Sequence, residues 1–425
     1  MGKQISKSKA LTFVDVFAGC GGLSLGLINA GWSGCFAVEK NKDAFNTLKV
    51  NLVTGKRRGF IWPDWLPHTP TSTLELLNNF GSHLKSLKGK IELLAGGPPC
   101  QGFSMAGRRT HSDPRNSLTE EYIEIVNALK PRFLLIENVK GFTMPFRKNG
   151  DESSRKIPYS ARVQEKLEQL GYAVFSDLVD LSYYGVPQTR KRFILIAIRN
   201  DDPAIGKLAG NTPFDILKAR RKQFLSSKGL PSERPICVEE AIGDLVVTGK
   251  DLIENTDSVL SGYKQIIYKD GSCVSPFIKL MRKGVRTAPD SLRLPNHKAD
   301  TINQFREISA TCERGKTLSD TDRKRLGIKK HALTPLSGCL PSATITTLPD
   351  DIIHYSEPRI LTVRENARMQ TFPDWYNFTG KYTTGGKERK NDCPRYTQVG
   401  NAVPPLFSEA IGRVLKELAS DQQVP

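Results

Sequence analysis

Short apolar runs alternate with helically spaced stretches through the first half of the chain. Leu11–Phe17 is predicted to be a buried strand; it runs into the glycine-rich turn Ala18–Gly22 and then a helix over Leu23–Ala30. Cys35–Val38, Ile91–Ala95, Arg132–Ile136 and Phe193–Ile198 are read as further strands, while Glu120–Leu129 and Arg162–Leu170 have helical spacing. Strands alternating with helices predict an α/β fold with a doubly wound, mostly parallel sheet. The pattern breaks after Arg199. From Asp201 to Glu357 it is irregular, then it resumes at Ile360–Met369 and closes in an amphipathic helix over Ser408–Leu418. The expected organisation is an α/β domain formed by residues 1–200 and 358–425, interrupted by a smaller, irregular domain at 201–357.

Composition narrows the partner. Among 425 residues, 62 Lys+Arg stand against 44 Asp+Glu, a net charge of +18. A positive field of that size favours a polyanion. The irregular stretch holds 24 Lys+Arg and 20 Asp+Glu, so the basic excess is carried mainly by the rest of the chain. The eight cysteines form no C-x-x-C pair, so neither a disulfide framework nor a metal site is expected. No apolar run approaches the ~18 residues of a membrane span. A reducing, cytoplasmic setting is the expectation.

Two turns carry candidate chemistry. In Asp15–Gly22 a strand ends in closely spaced glycines, which let backbone approach a ligand. Glu39 follows Gly19 by 20 residues, at the end of the next strand, where a carboxylate can accept hydrogen bonds from a ribose. The spacing is that of an adenosine-containing cofactor site and does not match a phosphate-cradling G-x-x-x-x-G-K-[ST]. The second turn is Gly96-Gly97-Pro98-Pro99-Cys100-Gln101-Gly102-Phe103-Ser104, at the carboxyl end of a predicted strand. Ligands of open α/β sheets bind outside such strand ends. Pro98-Pro99 stiffens the approach to the thiol, Gly102 and Gly107 supply hinges, and Arg108, Arg109 and Arg115 suit phosphate contacts. Nearby positive charge would raise the thiolate fraction of Cys100.

These blocks, in this order, resemble the C5-cytosine DNA methyltransferase family, and the resemblance covers almost the whole chain. It rests on Asp15–Gly26 with Glu39, Pro99-Cys100-Gln101, Asp113–Leu118, Glu137-Asn138-Val139, Gln188-Thr189-Arg190-Lys191-Arg192, Arg364–Arg368 and Gln398–Pro405. The resemblance implies an S-adenosyl-L-methionine-dependent enzyme acting on double-stranded DNA. It makes Cys100 the nucleophile that adds to C6 of a flipped-out cytosine, with Glu137 at N3. Arg192 would hold the cytosine O2 and the cysteine region, and Arg190 would orient Glu137 and a phosphate. Cofactor contacts are implied for Phe17, Ala18, Gly19, Gly21, Gly22, Leu23, Glu39, Pro99, Leu118, Asn401 and Val403. Gln101 and Ser104 would join the three loop arginines on the DNA backbone, and Asn138 would fix local backbone.

The chain departs from the family pattern twice. The acid that usually meets the adenine amine has no clean equivalent between Asn51 and Lys90; Thr71-Ser72-Thr73-Leu74 occupies the place, with Asp64 as an alternative. Lys40 follows Glu39 where several relatives carry an apolar or aromatic side chain. By resemblance, 201–357 is the target-recognition domain, with Tyr263-Lys264, Phe277–Arg282 and the hydroxyls of Ser342–Thr347 as candidate DNA contacts. A bacterial or phage restriction-modification setting, with a cognate endonuclease acting on the same site and a monomeric enzyme, is the expectation. The competing readings are the same chemistry on tRNA and a non-catalytic DNA-binding homologue.

Overall fold

The computed structural model describes residues 10–98, 117–144, 158–269, 275–383 and 392–420. Six strands form the central sheet: β1 (Thr12–Val16), β2 (Ser33–Val38), β3 (Leu93–Gly96), β4 (Phe133–Val139), β5 (Tyr172–Asp180) and β6 (Lys191–Arg199). Their spatial order is β2-β1-β3-β4-β6-β5. The pairs β2–β1, β1–β3 and β3–β4 are parallel, and β6 lies antiparallel to both β4 and β5. The central strands β1, β3 and β4 are apolar and buried almost throughout, as a sheet covered on both faces requires. The predicted strands are all present. β5 was not anticipated: its alternation is broken, it lies at the sheet edge, and it is only partly buried.

Helices α1 (Gly22–Asn29), α2 (Lys42–Leu48), α3 (Thr73–Ser86), α4 (Ser117–Leu129) and α5 (Tyr159–Gln169) connect these strands. Local chemistry sets two of their starts. Asn41 accepts from the amides of Asp43 and Ala44 to cap α2, and Ser72 and Glu75 form a reciprocal capping box at α3. The last helix, Pro405–Ala419, packs on α1. A side chain at Gly26 would come 2.2 Å from Ser408 Cβ, so only glycine admits this contact. Trp32 Nε1 donates to Gly412 O at 2.9 Å and pins the same seam. The returning segment thus completes the fold begun by the first strand.

The hydrophobic core continues past Arg199. Phe214 and Leu225, on the helix Pro213–Ser227, and Ile242 and Phe277 further on belong to the main cluster. A second, separate cluster comprises Phe305, Ile308, Leu318, Leu333, Ile353 and Ile360. It is built from the helix Ala299–Thr311, from Leu318 and Leu333, and from a two-residue parallel pairing of Thr334–Pro335 with Ile352–Ile353. Irregularity in the sequence therefore hides two kinds of packing: a first part built onto the main core and a later part with a small core of its own.

Candidate active site

Strand pairing brings the acid and the arginine together. In the antiparallel β4–β6 register Glu137 faces Ile194 and Val139 faces Arg192. Paired residues point to one face, and so do residues two apart, so Glu137 and Arg192 form a diagonal couple on one side of the sheet. Arg192 Nε lies 2.9 Å from Glu137 Oε1, and each side chain is 13% exposed. Burial pushes the Arg192 guanidinium down from its usual value and the Glu137 carboxylate holds it up. Shielded from water, such a charge pair keeps its orientation, which suits a group that must meet a substrate atom.

The same strand end holds the root of the cysteine loop. Asn138 Nδ2 donates to Pro98 O at 3.1 Å, and Asn138 Oδ1 accepts from the Val139 amide. A Cβ at Gly97 would lie 3.2 Å from Glu137 O and 3.5 Å from Glu137 Oε2, so the backbone two residues before Pro99 runs directly beside the carboxylate. Asn138 fixes that backbone, and Cys100 follows Gly97 by three positions in the chain. Pro99, Cys100, Gln101, Ser104, Arg108, Arg109 and Arg115 lie outside the described residues.

Arg190 is buried against the returning segment. Nη1 donates to Ile345 O at 2.9 Å, and Nη2 donates to Gly400 O at 3.1 Å and Ala402 O at 3.2 Å. The side chain is 2% exposed, and burial pushes its guanidinium well below the usual value. It makes no hydrogen bond to Glu137 among the described residues and is too enclosed to meet a phosphate. Arg190 lies just before β6, which begins at Lys191, and stays close enough to Arg192 and Glu137 for both charges to act on it. Arg190 ties the returning segment to the sheet. Gln188 does the same: its Nε2 donates to Met369 O and Gln370 Oε1, its Oε1 accepts from Ile345 N, and Gln370 Nε2 passes on to Val399 O.

At the glycine turn, β1 is followed by Phe17 with φ 59°, then by Gly19 at 56° and Gly21 at 89°. Gly19 N donates to Glu39 Oε2 at 2.9 Å, and Asn41 N donates to Oε1 at 2.7 Å. The carboxylate is thereby aimed beside the turn with acceptor capacity left over. Burial pushes its pKa up against those hydrogen bonds. Ala18, Gly21, Gly22 and Leu23 are buried, and Phe17 is half-buried. A Cβ at Gly22 would meet Val403 O at 2.3 Å, so the returning segment closes directly over the start of α1. Asn401, at the end of the helix Arg395–Asn401, is exposed, and Leu118 is half-buried in the first turn of α4.

Three features of this pocket escaped the sequence reading. Asp15 is 1% exposed; Ser24 Oγ donates to its Oδ2, while Oδ1 has no partner among the described residues. Burial raises its pKa to about 7. Tyr376 donates to Cys20 O, and Gln398 joins Thr47, Thr379 and Cys393, so the turn is braced from the returning segment. Asp15 had a local signal, an acid opening the turn motif; the braces are long-range and had none. Thr71, in the place of the missing adenine acid, donates its amide to Glu39 O at 2.9 Å, while Asp64 is exposed.

The variable segment differs from expectation at three places. Phe277, Ile278 and Met281 are buried, and Arg282 is 9% exposed over the Tyr268 ring, so this stretch serves packing, with only Lys279 facing outward. Tyr263 stacks on Arg293, and Lys264 pairs with Glu254. The Ser342 and Thr344 hydroxyls are spent on Ala343 O and Thr189 O, and Thr346 binds Asp351.

A doubly wound sheet with a paired acid and arginine beside a cysteine loop, and a glycine turn beside an acid, defines a cofactor-dependent transferase site. Over residues 11–417 the chain matches the family described as C-5 cytosine-specific DNA methylase, and it belongs to that family. It is 29% identical over 413 residues to the type II methyltransferase M.DdeI of Desulfomicrobium norvegicum, covering 94% of this chain and 87% of that protein. It is 27% identical to M.XorII of Xanthomonas oryzae pv. oryzae, covering 97% and 86%. A solved prophage-encoded chain of E. coli, described as a DNA modification methyltransferase, shares the fold with TM-score 0.62, 22% identity and 96% and 99% coverage. The chain is a DNA (cytosine-5-)-methyltransferase. Among the described residues no helix is long and apolar enough to cross a membrane.

Proposed function

We propose that this chain methylates C5 of a flipped-out cytosine within a specific double-stranded DNA sequence, with Cys100 forming a covalent bond to C6. The Glu137–Arg192 couple at the root of the cysteine loop carries this reading. Cytosine C5 is a weak nucleophile. Addition of the Cys100 thiolate to C6 turns the ring into an enamine, and a proton held at N3 by Glu137 keeps charge from building up there. Arg192 fixes the Glu137 carboxylate and offers its remaining N–H groups to the cytosine O2. When bound, S-adenosyl-L-methionine supplies the electrophilic methyl group. Loss of the C5 proton then expels the Cys100 thiolate and restores the aromatic ring.

The turn residues fit this cofactor. Glu39 keeps acceptor capacity for ribose hydroxyls, and Phe17 offers a half-buried ring to the adenine. The backbone of Ala18–Leu23 with Val403 encloses the methionine end, and the orphaned Asp15 Oδ1 suits a cationic group. Pro99, Leu118 and Asn401 complete the proposed pocket. Cys100 and the DNA contacts of Gln101, Ser104, Arg108, Arg109 and Arg115 rest on the resemblance of the loop. Residues 201–357 act as the target-recognition region between the catalytic parts 1–200 and 358–425. The type II names of the relatives support a restriction-modification setting with a cognate endonuclease; a monomeric enzyme in the bacterial cytoplasm, at the nucleoid, belongs to the same proposal. Bisulfite sequencing of unmodified genomic DNA treated with the pure protein and cofactor tests the reading. Protected cytosines within one recurrent sequence are expected; none in DNA, with labelled methyl groups entering tRNA instead, would overturn it.

A further inference from the structure

Two stretches far apart in sequence place exposed cations on one surface. Lys56, Arg57 and Arg58 form a loop between α2 and the segment that flanks β2; Lys279, Lys283 and Arg286 follow or lie on the short helix Pro276–Met281. All six are exposed. The two stretches meet: Arg57 Nη2 lies 3.0 Å from where a Cβ at Gly284 would stand, and its guanidinium covers the Trp375 ring at 4.4 Å. Asp374 N donates to Met281 O at 2.9 Å and locks the second stretch to the same place. Among the described residues none of the six forms an ion pair with a carboxylate. Arg323, Arg325 and Lys330, by contrast, each meet an Asp.

The first of the two stretches is rooted away from the carboxyl edge of the sheet. The loop leads into Gly59, which pairs with Gly34 near the amino-terminal end of β2. Glu39, at the other end, is five residues on, on the order of 16 Å along the strand. Holding uncompensated like charges together costs free energy through mutual repulsion, and a polyanion relieves it. A stacked arginine flanked by flexible lysines and further arginines offers donors only, which suits the acceptor-only oxygens of the phosphate backbone.

We infer that this surface docks the phosphate backbone of duplex DNA outside the target site, independently of sequence. The choice of duplex rests on the proposed DNA substrate. A second, salt-sensitive foothold holds DNA near the enzyme while the catalytic cleft is between sites.

The test is equilibrium binding of the full chain to a short duplex of A·T pairs only, which contains no cytosine, between about 50 and 200 mM salt. The Arg58→Glu/Lys283→Glu/Arg286→Glu variant should lower the slope of log affinity against log salt by roughly 2–3, at about 0.9 per lost phosphate contact. The matched control Lys85→Glu/Lys88→Glu/Lys90→Glu alters three exposed lysines at and beyond the end of α3 and should change the slope by less than about 1. An unchanged slope in the first variant, or an equal loss in both, overturns the inference. Acetylation of Lys283 in the wild-type chain needs no variant: protection by the A·T duplex is expected, and equal labelling with and without DNA contradicts it. Methylation of cytosine-containing DNA is read separately, so a chain that methylates yet shows no protection loses this inference alone.

Discussion

Arg192 and Glu137 are held 2.9 Å apart by a diagonal across two antiparallel strands, and neither depends on a loop for its position. The couple is expected to act as a unit. Glu137→Gln removes the proton held at N3 and should lower kcat by roughly 10²–10⁴-fold while leaving the fold intact. Arg192→Ala leaves a buried carboxylate without its partner and should cost about 3–5 kcal/mol in stability as well as activity. Single-turnover methylation with thermal unfolding checks both. If Glu137→Gln/Arg192→Ala loses the product of the two single effects, the two residues act independently and this account of the couple is wrong.

Arg190 is expected to behave differently. Its donors serve three carbonyls of the returning chain, so Arg190→Met should destabilise the protein by about 2–5 kcal/mol. At a temperature where the variant remains folded, kcat should stay within about tenfold of wild type. A loss of kcat as large as that of Glu137→Gln, without a lower Tm, would put Arg190 at the substrate.

The elements that sequence made legible were those whose signal is local. Buried apolar strands, the glycine turn with Glu39 and the Glu137 strand end all follow from short-range patterns. β5 was hidden because Ala173, Val174 and Phe175 run together and Leu178 faces water, so its sequence does not alternate as a half-buried strand should. The partners of Arg190, Gln188 and Tyr376 were hidden because they are mostly main-chain atoms up to hundreds of residues away, which spacing does not encode. Phe277–Arg282 looked like a basic-aromatic reading surface, yet helical periodicity turns its apolar side chains into the core.

Asp15 makes stability depend on pH. Its pKa is raised to about 7 in the fold against 3.8 as the ordinary value, so the folded form favours the protonated acid. The contribution is fully present below about pH 4, and is lost as pH rises through 7. Asp15→Asn should remove that dependence, so the variant gains on wild type as pH rises from about 4 to about 7, by up to about 4 kcal/mol. Urea unfolding across that range is the measurement; a gap between the two proteins that does not widen with pH contradicts the assignment.

Gly22 separates the glycine turn, the proposed cofactor site, from the returning segment by the width of a missing Cβ. Gly22→Ala would set that carbon 2.3 Å from Val403 O and force the two segments apart. Cofactor affinity should fall at least about tenfold, with a stability cost of about 1–3 kcal/mol. Calorimetric titration with S-adenosyl-L-homocysteine reads the effect directly, and wild-type affinity in the variant would separate the cofactor pocket from this seam.

The central claim is a covalent bond between Cys100 and C6 of the target cytosine. It is tested by incubating the protein and S-adenosyl-L-methionine with duplex DNA carrying 5-fluorocytosine, where the C5 substituent cannot leave as a proton. Wild type should form a denaturant-resistant protein–DNA adduct whose peptide maps to Cys100, and Cys100→Ser should form none. An adduct that persists in Cys100→Ser, or full methylation by that variant, would contradict the account.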